Sequence, residues 1–385
     1  MFGRGDRMKC YRAYKFRIYP DQFQKIQLSQ MFGCVRFVYN HFLARKIAYY
    51  QEEKKSLSYN ACAKELVVLK KEFLFLKEAD SIALQQSLRH LDTAFQNFFR
   101  DSKMGFPRFK SKKRNRDSYT TVCVNHNIRL EQGRLLLPKL KWIRVKQHRE
   151  IPEHFLLKSV TVSRTPTGQY YASLLYEFEA EISFCTDIRE EKVLGLDFSM
   201  KDLFVASNGT IRTEEDSLHC YRKSQKRLEK EQRRLSHCKK GSQRYEKQRR
   251  KVARIHEKIA FQRKDFLHKK SRQIANAFDA VCVEDLDMKG MAGSLHFGKS
   301  VYDNGWGMFL SFLSYKLEEQ RKKLIKIDRF FPSSKQCHVC GCKKDGLELS
   351  ERSWRCPECG TVHDRNYNAS MNIKKEGMRL LIQGA

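Results

Sequence analysis

Residues 11–18 (YRAYKFRI) alternate in character. Tyr14, Phe16 and Ile18 fall on one side with Lys15 and Arg17 between them, the period-two pattern of a half-buried strand with a basic outer face. Pro20 and Asp21 then mark a helix opening, and Phe23, Ile26, Phe32, Val35, Val38 and Phe42 recur at helical spacing across 21–52. A second helix is expected over 59–72. A third is expected after Asp80 and Ser81, where Leu84, Leu88, Leu91, Phe95 and Phe98 form one stripe. These stripes read as core packing, not as a cofactor site. The helical pattern breaks at GFPRFKSKKRNR (105–116). Beyond it, TTVCV, RLLLP, IRVKQ, KSVTVSRT and YYASLLYEF, within 118–178, read as strands separated by turns. They fit a small basic β-barrel of the oligonucleotide-binding sort, which the strand at 11–18 joins and into which the helices of 21–103 are inserted.

The polar stretch 180–191 (EAEISFCTDIREE at its core) reads as a linker. VLGLDFSMKDLFVASNGT then gives two strands with a turn between them, closing on the turn pair Asn208-Gly209. Residues 217–276 are almost wholly helical. Leu228 and Leu235 stand seven apart, and after a turn at 239–242 Tyr245, Val252, Ile259 and Phe266 continue the same step. The expectation is a helical hairpin with an apolar seam. No internal repeat or low-complexity tract is evident.

Charge changes the picture. The 385 residues carry a formal net charge of +32, and residues 221–270 alone hold 20 Lys/Arg against 5 Asp/Glu. Such an excess resists compaction unless an anion neutralises it, and the anion with matching density is a phosphate backbone. In 105–116, Phe106 and Phe109 interleave with Arg108, Lys110, Lys112 and Lys113, so bases can stack where cations meet phosphates. Neither an apolar run of membrane-spanning length nor a signal peptide is apparent, which argues against a membrane partner and for a cytoplasmic, nucleoid-associated protein. The thirteen cysteines do not read as a disulfide framework. Cys10, Cys34, Cys62, Cys123 and Cys282 sit among apolar neighbours and are expected to act as small buried hydrophobes.

Two constellations carry chemistry. CHVCG (337–341) and CPECG (356–360) are separated by 15 residues, the spacing of a four-thiolate zinc ribbon. Cys337, Cys340, Cys356 and Cys359 are the expected ligands; His338, Cys342 and His363 lie near enough to compete. Four thiolates leave no open coordination position, so the zinc would be structural and would supply folding free energy to a lobe with little core. The second constellation is acids after apolar strands: Asp197 after VLGL and Glu284 after AVCV. Carboxylates that converge at a sheet edge can hold a pair of Mg²⁺ ions, which activate water and stabilise the leaving oxygen in phosphodiester cleavage. Asp285 and Asp287 read as bystanders.

Five ordered stretches resemble the TnpB family, insertion-sequence-encoded relatives of type V CRISPR nucleases. These are YKFRIYPDQFQKIQLSQMFGCVRFVYN, GFPRFKSKK, GLDFSMKDLFVASNGT, VCVEDLDMKGM, and the ribbon with its sequel HDRNYNASMNIKKEG. The resemblance spans essentially the whole chain. It implies a multidomain α+β fold: a wedge-type β-barrel (1–20 and 104–180), a helical recognition domain (21–103), an RNase H-like RuvC nuclease domain (191–334 and 361–385), and a zinc ribbon inserted at 335–360. It further implies a guide RNA from the element's end, a double-stranded DNA target chosen by base pairing beside a short adjacent motif, and a monomeric ribonucleoprotein. One position departs from the pattern. The family's third acid stands in D-x-N-A at the start of the last helix, and here that position is Asn366. Asp364, two residues upstream, is the replacement carboxylate favoured here, with Asn366 as a neutral ligand or an inactive site as alternatives.

The sequence therefore points to an RNA-guided, Mg²⁺-dependent DNA endonuclease. Asp197, Glu284 and Asp364 would be the acids, and Arg108, Lys110 and Lys335 backbone contacts. Its competitor is a nuclease-deficient, RNA-guided regulator of transcription. A strand-joining transposase finds no His-rich or tyrosine-nucleophile constellation to support it.

Overall fold

The computed structural model describes residues 7–101, 104–113, 116–181, 188–199, 202–209, 222–288, 290, 305–348 and 350–383. They fall into two compact units, 7–181 and 188–383. Residues 182–187 of the expected linker at 180–191 lie outside the described residues.

The first unit opens with strand β1 (Arg7–Tyr19), whose alternation buries Tyr14, Phe16 and Ile18 as the pattern requires. Asp21 then caps helix α1 (Gln22–Glu53) through a reciprocal capping box with Gln24. Helix α2 (Tyr59–Glu72) is capped by Ser58 and helix α3 (Ser81–Arg100) by Asp80. On α3, Leu84, Leu88 and Leu91 are buried, while Phe95 lies at the margin of the core. Six further strands follow: β2 (Asp117–Val122), β3 (Arg129–Glu131), β4 (Arg134–Leu137), β5 (Lys141–Lys146), β6 (Leu156–Arg164) and β7 (Tyr170–Glu181). They join β1 in one antiparallel sheet of order β2-β6-β7-β1-β5-β4-β3. The first strand thus pairs with strands more than a hundred residues away, and α1–α3 are an insertion between β1 and β2. The expected barrel does not close. Among the described residues the outer strands β2 and β3 share no pairing, so the sheet stays open and gives one face to the helices' apolar core.

The second unit is built on a four-stranded sheet of order β11-β10-β8-β9: β8 (Val193–Ser199), β9 (Leu203–Ala206), β10 (Ala280–Glu284) and β11 (Lys323–Ile327). The hairpin β8–β9 is antiparallel, and β10 lies parallel to both β8 and β11. Helix α4 (Arg222–Ser236) and helix α5 (Gln243–Ala277) form the basic hairpin, and helix α6 (Trp306–Glu319) packs beside α5. The seam differs in part from the seven-residue reading. Val252, Ile255, Ile259, Leu267 and Ile274 are buried, whereas Tyr245, Leu235 and Phe266 are half-buried. The missed feature is polar: Glu231 on α4 is buried and bonded by Gln248 Nε2 (2.7 Å) and Lys251 Nζ (3.0 Å) of α5, with Arg234 at 3.1 Å.

Those partners hold Glu231 down at about 2, against an ordinary 4.5. A carboxyl depressed in the folded state contributes stability above its unfolded value and loses it as pH falls. Glu231→Gln is therefore expected to lower the melting temperature at pH 7 and to be nearly silent only below about pH 2. Melts from pH 7 to 2 check this, with the difference closing between about pH 4.5 and 2.

The last helix, α7 (Arg365–Gln383), lies across the sheet's other face, and glycine makes this possible at two points. A Cβ on Gly195 of β8 would stand 2.1 Å from the Ser370 carbonyl oxygen, and one on Gly377 of α7 would stand 2.1 Å from Cys282 Sγ on β10. Cys282 is fully buried, as are Cys34 and Cys62 nearly so, but Cys10 and Cys123 are partly exposed, contrary to expectation. No helix among the described residues is long and apolar enough to cross a membrane.

Candidate acid site and four-cysteine centre

Parallel pairing sets the acids side by side. Leu196 of β8 registers with Val283 of β10, so the next residues, Asp197 within β8 and Glu284 at the end of β10, lie side by side on neighbouring strands. The third acid arrives from elsewhere. The short hairpin of β12 (Ser353–Arg355) and β13 (Val362–Asp364) ends at Asp364, whose Oδ1 accepts the Tyr367 amide (2.9 Å) and so caps α7.

Asp197 feels the charge of both other acids, of which Asp364 is exposed; among the described residues the four cysteines are the one group of three or more such side chains close enough to share a metal ion. Burial, then the Glu284 carboxylate, pushes Asp197 well above the usual carboxylate range; Asp364 adds to this and Arg365 opposes it. Burial also raises Glu284, partly offset by the hydrogen bond it accepts from the Ser333 hydroxyl. Carboxylates crowded at a buried strand edge are costly without a cation between them, and a divalent hard cation suits an all-oxygen donor set. Asp285, by contrast, is exposed and paired with Lys326 and Arg329 at 3.0 and 3.3 Å, the bystander expected. Asn366 lies in the first turn of α7, half-buried.

The sulfurs of Cys337, Cys340, Cys356 and Cys359 all lie within 4.8 Å of one another. Cys337–Cys359 and Cys340–Cys356 are 3.7 and 3.5 Å apart. Zn–S bonds of about 2.3 Å in a tetrahedron set sulfurs about 3.8 Å apart, so the cluster fits zinc. Gly341 and Gly360 take φ of 80° and 71° where the two knuckles turn back. The competing side chains sit outside the tetrahedron. His363 is buried with Nε2 3.1 Å from Cys337 Sγ, within hydrogen-bond reach of that sulfur and outside the group of four thiols. Cys342 Sγ faces the Lys343 carbonyl at 3.7 Å, and His338 is engaged by Asn368.

The basic residues separate by environment. Arg108 and Lys335 are exposed. Lys110 is half-buried: its ammonium lies 3.7 Å from the Tyr39 ring centre, its backbone is bracketed by Asn40 (2.8 Å on both sides), and burial lowers its pKa. Lys110 shares a cleft of about 180 Å³ with Arg36, His90 and Arg116. Phe106 packs edge-on against Phe95 and Phe98 at 5.5 and 5.4 Å and stays about half exposed.

Sequence reasoning missed the residues that join the two centres. Asn368 and Asn372 on α7 are buried and bind the Ser333–His338 segment. A sequence signal existed, two asparagines four apart on a face otherwise given to Ala369 and Ile373.

Fold and site together describe a multidomain α+β protein with Asp197 and Glu284 on neighbouring strands and a four-cysteine cluster. The comparisons with known proteins agree. Residues 173–295 match the OrfB IS605 family, described as "Probable transposase"; residues 306–373 match the Cas12f1-like TNB domain, and 8–55 a helix-turn-helix domain of the same OrfB type. In this chain 8–55 is strand β1 followed by the single helix α1. A "Putative RNA-guided DNA endonuclease" of Streptomyces pristinaespiralis is 37% identical over 95% of this chain and 89% of its own length. The Escherichia coli K12 "Putative RNA-guided DNA endonuclease InsQ" is 31% identical over 98% and 95%. Among solved structures, that titled as a Cas12f1–sgRNA–target DNA complex matches at TM-score 0.52 and 13% identity over 95% of this chain and 99% of that one, a likeness of fold. The chain belongs to the TnpB family.

Proposed function

We propose that the protein is an RNA-guided DNA endonuclease of transposon origin that hydrolyses phosphodiesters with Mg²⁺ at Asp197, Glu284 and Asp364. The observation that carries this reading is the parallel register that sets Asp197 beside Glu284 on neighbouring strands, with Asp197 raised by burial, then by Glu284, and further by Asp364. The order β9-β8-β10-β11, with β10 and β11 parallel to β8, supports an RNase H-like RuvC core. Mg²⁺ would polarise a phosphoryl oxygen and activate water. The chain's own part is to fix the three oxygen donors and to place Arg365 where it offsets their charge. The four-cysteine centre would hold structural Zn²⁺. Guide RNA and target duplex would lie along the cationic surfaces, with Arg108, Lys110 and Lys335 among the phosphate contacts, and the active particle would be a monomeric ribonucleoprotein that reads a short motif beside its target.

Asn366 favours a second reading. The neutral side chain at the family's acid position would suit a guided DNA binder that represses without cutting. Asp364 favours cutting, because it acts on Asp197 electrostatically. The test is incubation of the protein and RNA transcribed from the element's end with matched DNA and Mg²⁺. Cleavage that requires the guide match supports the endonuclease; guided binding without cleavage supports the repressor. In the same assay Arg108→Ala is expected to weaken DNA or RNA binding at any sequence and to lower the slope of log K against log salt by about one.

A further inference from the structure

The segment between β11 and the first zinc knuckle touches both centres. The Ser333 hydroxyl donates to Glu284 Oε1, and Ser333 is buried. Its own carbonyl accepts from Asn372 Nδ2 at 2.8 Å, and the Gln336 carbonyl accepts from Asn372 at 2.6 Å and Asn368 at 2.7 Å. The next residue but one is in the knuckle: the His338 amide donates to Asn368 Oδ1 at 3.0 Å, and the His338 carbonyl accepts from Lys375 Nζ at 2.6 Å. Gln336 is followed at once by Cys337, one of the four thiols. Asn368 and Asn372 are almost fully buried on α7, the helix that Asp364 caps. One hydrogen-bonded chain therefore runs from the cysteine cluster through two buried amides to the oxygen of Glu284 and to the helix start that holds Asp364.

We infer that Ser333, Asn368 and Asn372 are positioning residues that make the geometry of the acid site depend on the metal state of the ribbon. Loss of zinc frees the 336–340 knuckle, removes the acceptors that fix both amides, and lets Ser333 leave Glu284. The acid site then loses its divalent ion without any change in its own residues, so zinc withdrawal acts as an off switch. This rests on the reading of Asp197 and Glu284 as a divalent-metal site.

The test uses the full chain and Mn²⁺ as the probe, with affinity read by titration of its EPR signal and zinc content by metal analysis. Wild type is expected to bind Mn²⁺ at a site that Asp197→Ala abolishes. Ser333→Ala and Asn372→Asp are expected to keep one zinc per chain and a folded melt, yet to weaken Mn²⁺ about 10- to 100-fold, the usual effect of disturbing groups that orient metal ligands. Ser333→Thr keeps the hydroxyl and is expected to restore binding. Chelation of the zinc is expected to weaken Mn²⁺ likewise. Unchanged Mn²⁺ affinity in Ser333→Ala and in the zinc-stripped protein overturns the inference while leaving the acid site standing. A wild type whose Mn²⁺ binding ignores Asp197→Ala overturns both.

Discussion

Replacing Cys356 by serine is expected to unfold the ribbon while leaving most of the second unit folded. The lobe's buried cluster is Cys337, Leu347, Trp354 and Cys356 with Cys342 against it, and two of the cluster's members are thiols of the centre itself. Among the described residues its strand pairing is the three-residue match of β12 with β13 and a single bridge between Gln336 and Lys343. So little apolar area cannot offset the ordering of about 25 residues at roughly 1–2 kcal/mol each. Structural zinc supplies on the order of 10–16 kcal/mol in such lobes, so losing one thiolate is decisive. Metal analysis is expected to fall from one zinc per chain to near none. Limited proteolysis is expected to open sites between residues 336 and 364, and fluorescence of Trp354, buried against His363, is expected to shift to the red.

The second large effect is at Asp197, and it has two opposite signs. Without a divalent cation, the half-buried Asp197 carboxylate beside Glu284, with Asp364 adding to the repulsion, destabilises the fold when ionised. An acid whose pKa is raised in the folded state is protonated there at pH values where the unfolded chain, at about 3.8, has already ionised. Its contribution to stability therefore declines as pH rises above that value. Asp197→Asn is expected to melt higher than wild type at pH 7 without metal, with the gap narrowing toward pH 4. With Mg²⁺ the order reverses in meaning. Wild type gains stability by mass action, about 2.7 kcal/mol at 100 times Kd, and the variant gains none. Cleavage is expected to fall by about a thousandfold or more, since a lost ligand removes several kcal/mol of charge stabilisation at 1.36 kcal/mol per decade. Calorimetric melts with and without Mg²⁺ and single-turnover cleavage measure the two signs on one variant.

Much of this was legible in local pattern. The alternation in β1 and the stripe on α3 follow from periods of 2 and 3.6, and the helix opening read at Pro20 and Asp21 is where α1 is capped. The two CxxCG turns were legible because a knuckle is a local structure and its chemistry lies in four residues. Asp197 and Glu284 could be picked out because each follows an apolar strand. Their convergence could not be derived locally, since it depends on the parallel register Leu196–Val283 across 87 positions of chain. The open sheet was illegible for the same reason: closure depends on whether β2 meets β3, which no turn dictates. In the sequence Glu231 is no more than one of the five acids of 221–270, because only the partner helix supplies Gln248 and Lys251. Asn368 and Asn372 were read as part of a motif, and their role as the amides that seize the knuckle carbonyls appears only in three dimensions. Gly195 and Gly377 likewise show their purpose only once α7 lies on the sheet.

The central claim is that three acids, with Asp364 standing in for the residue that Asn366 replaces, form a working nuclease. The most direct measurement is single-turnover cleavage of matched DNA by the guided protein in Mg²⁺, run in parallel for wild type, Asp364→Ala and Asn366→Asp. The account predicts that wild type cuts, that Asp364→Ala does not, and that Asn366→Asp is not required. A wild type that binds the matched DNA tightly and leaves it whole, with cutting gained by Asn366→Asp, would contradict it.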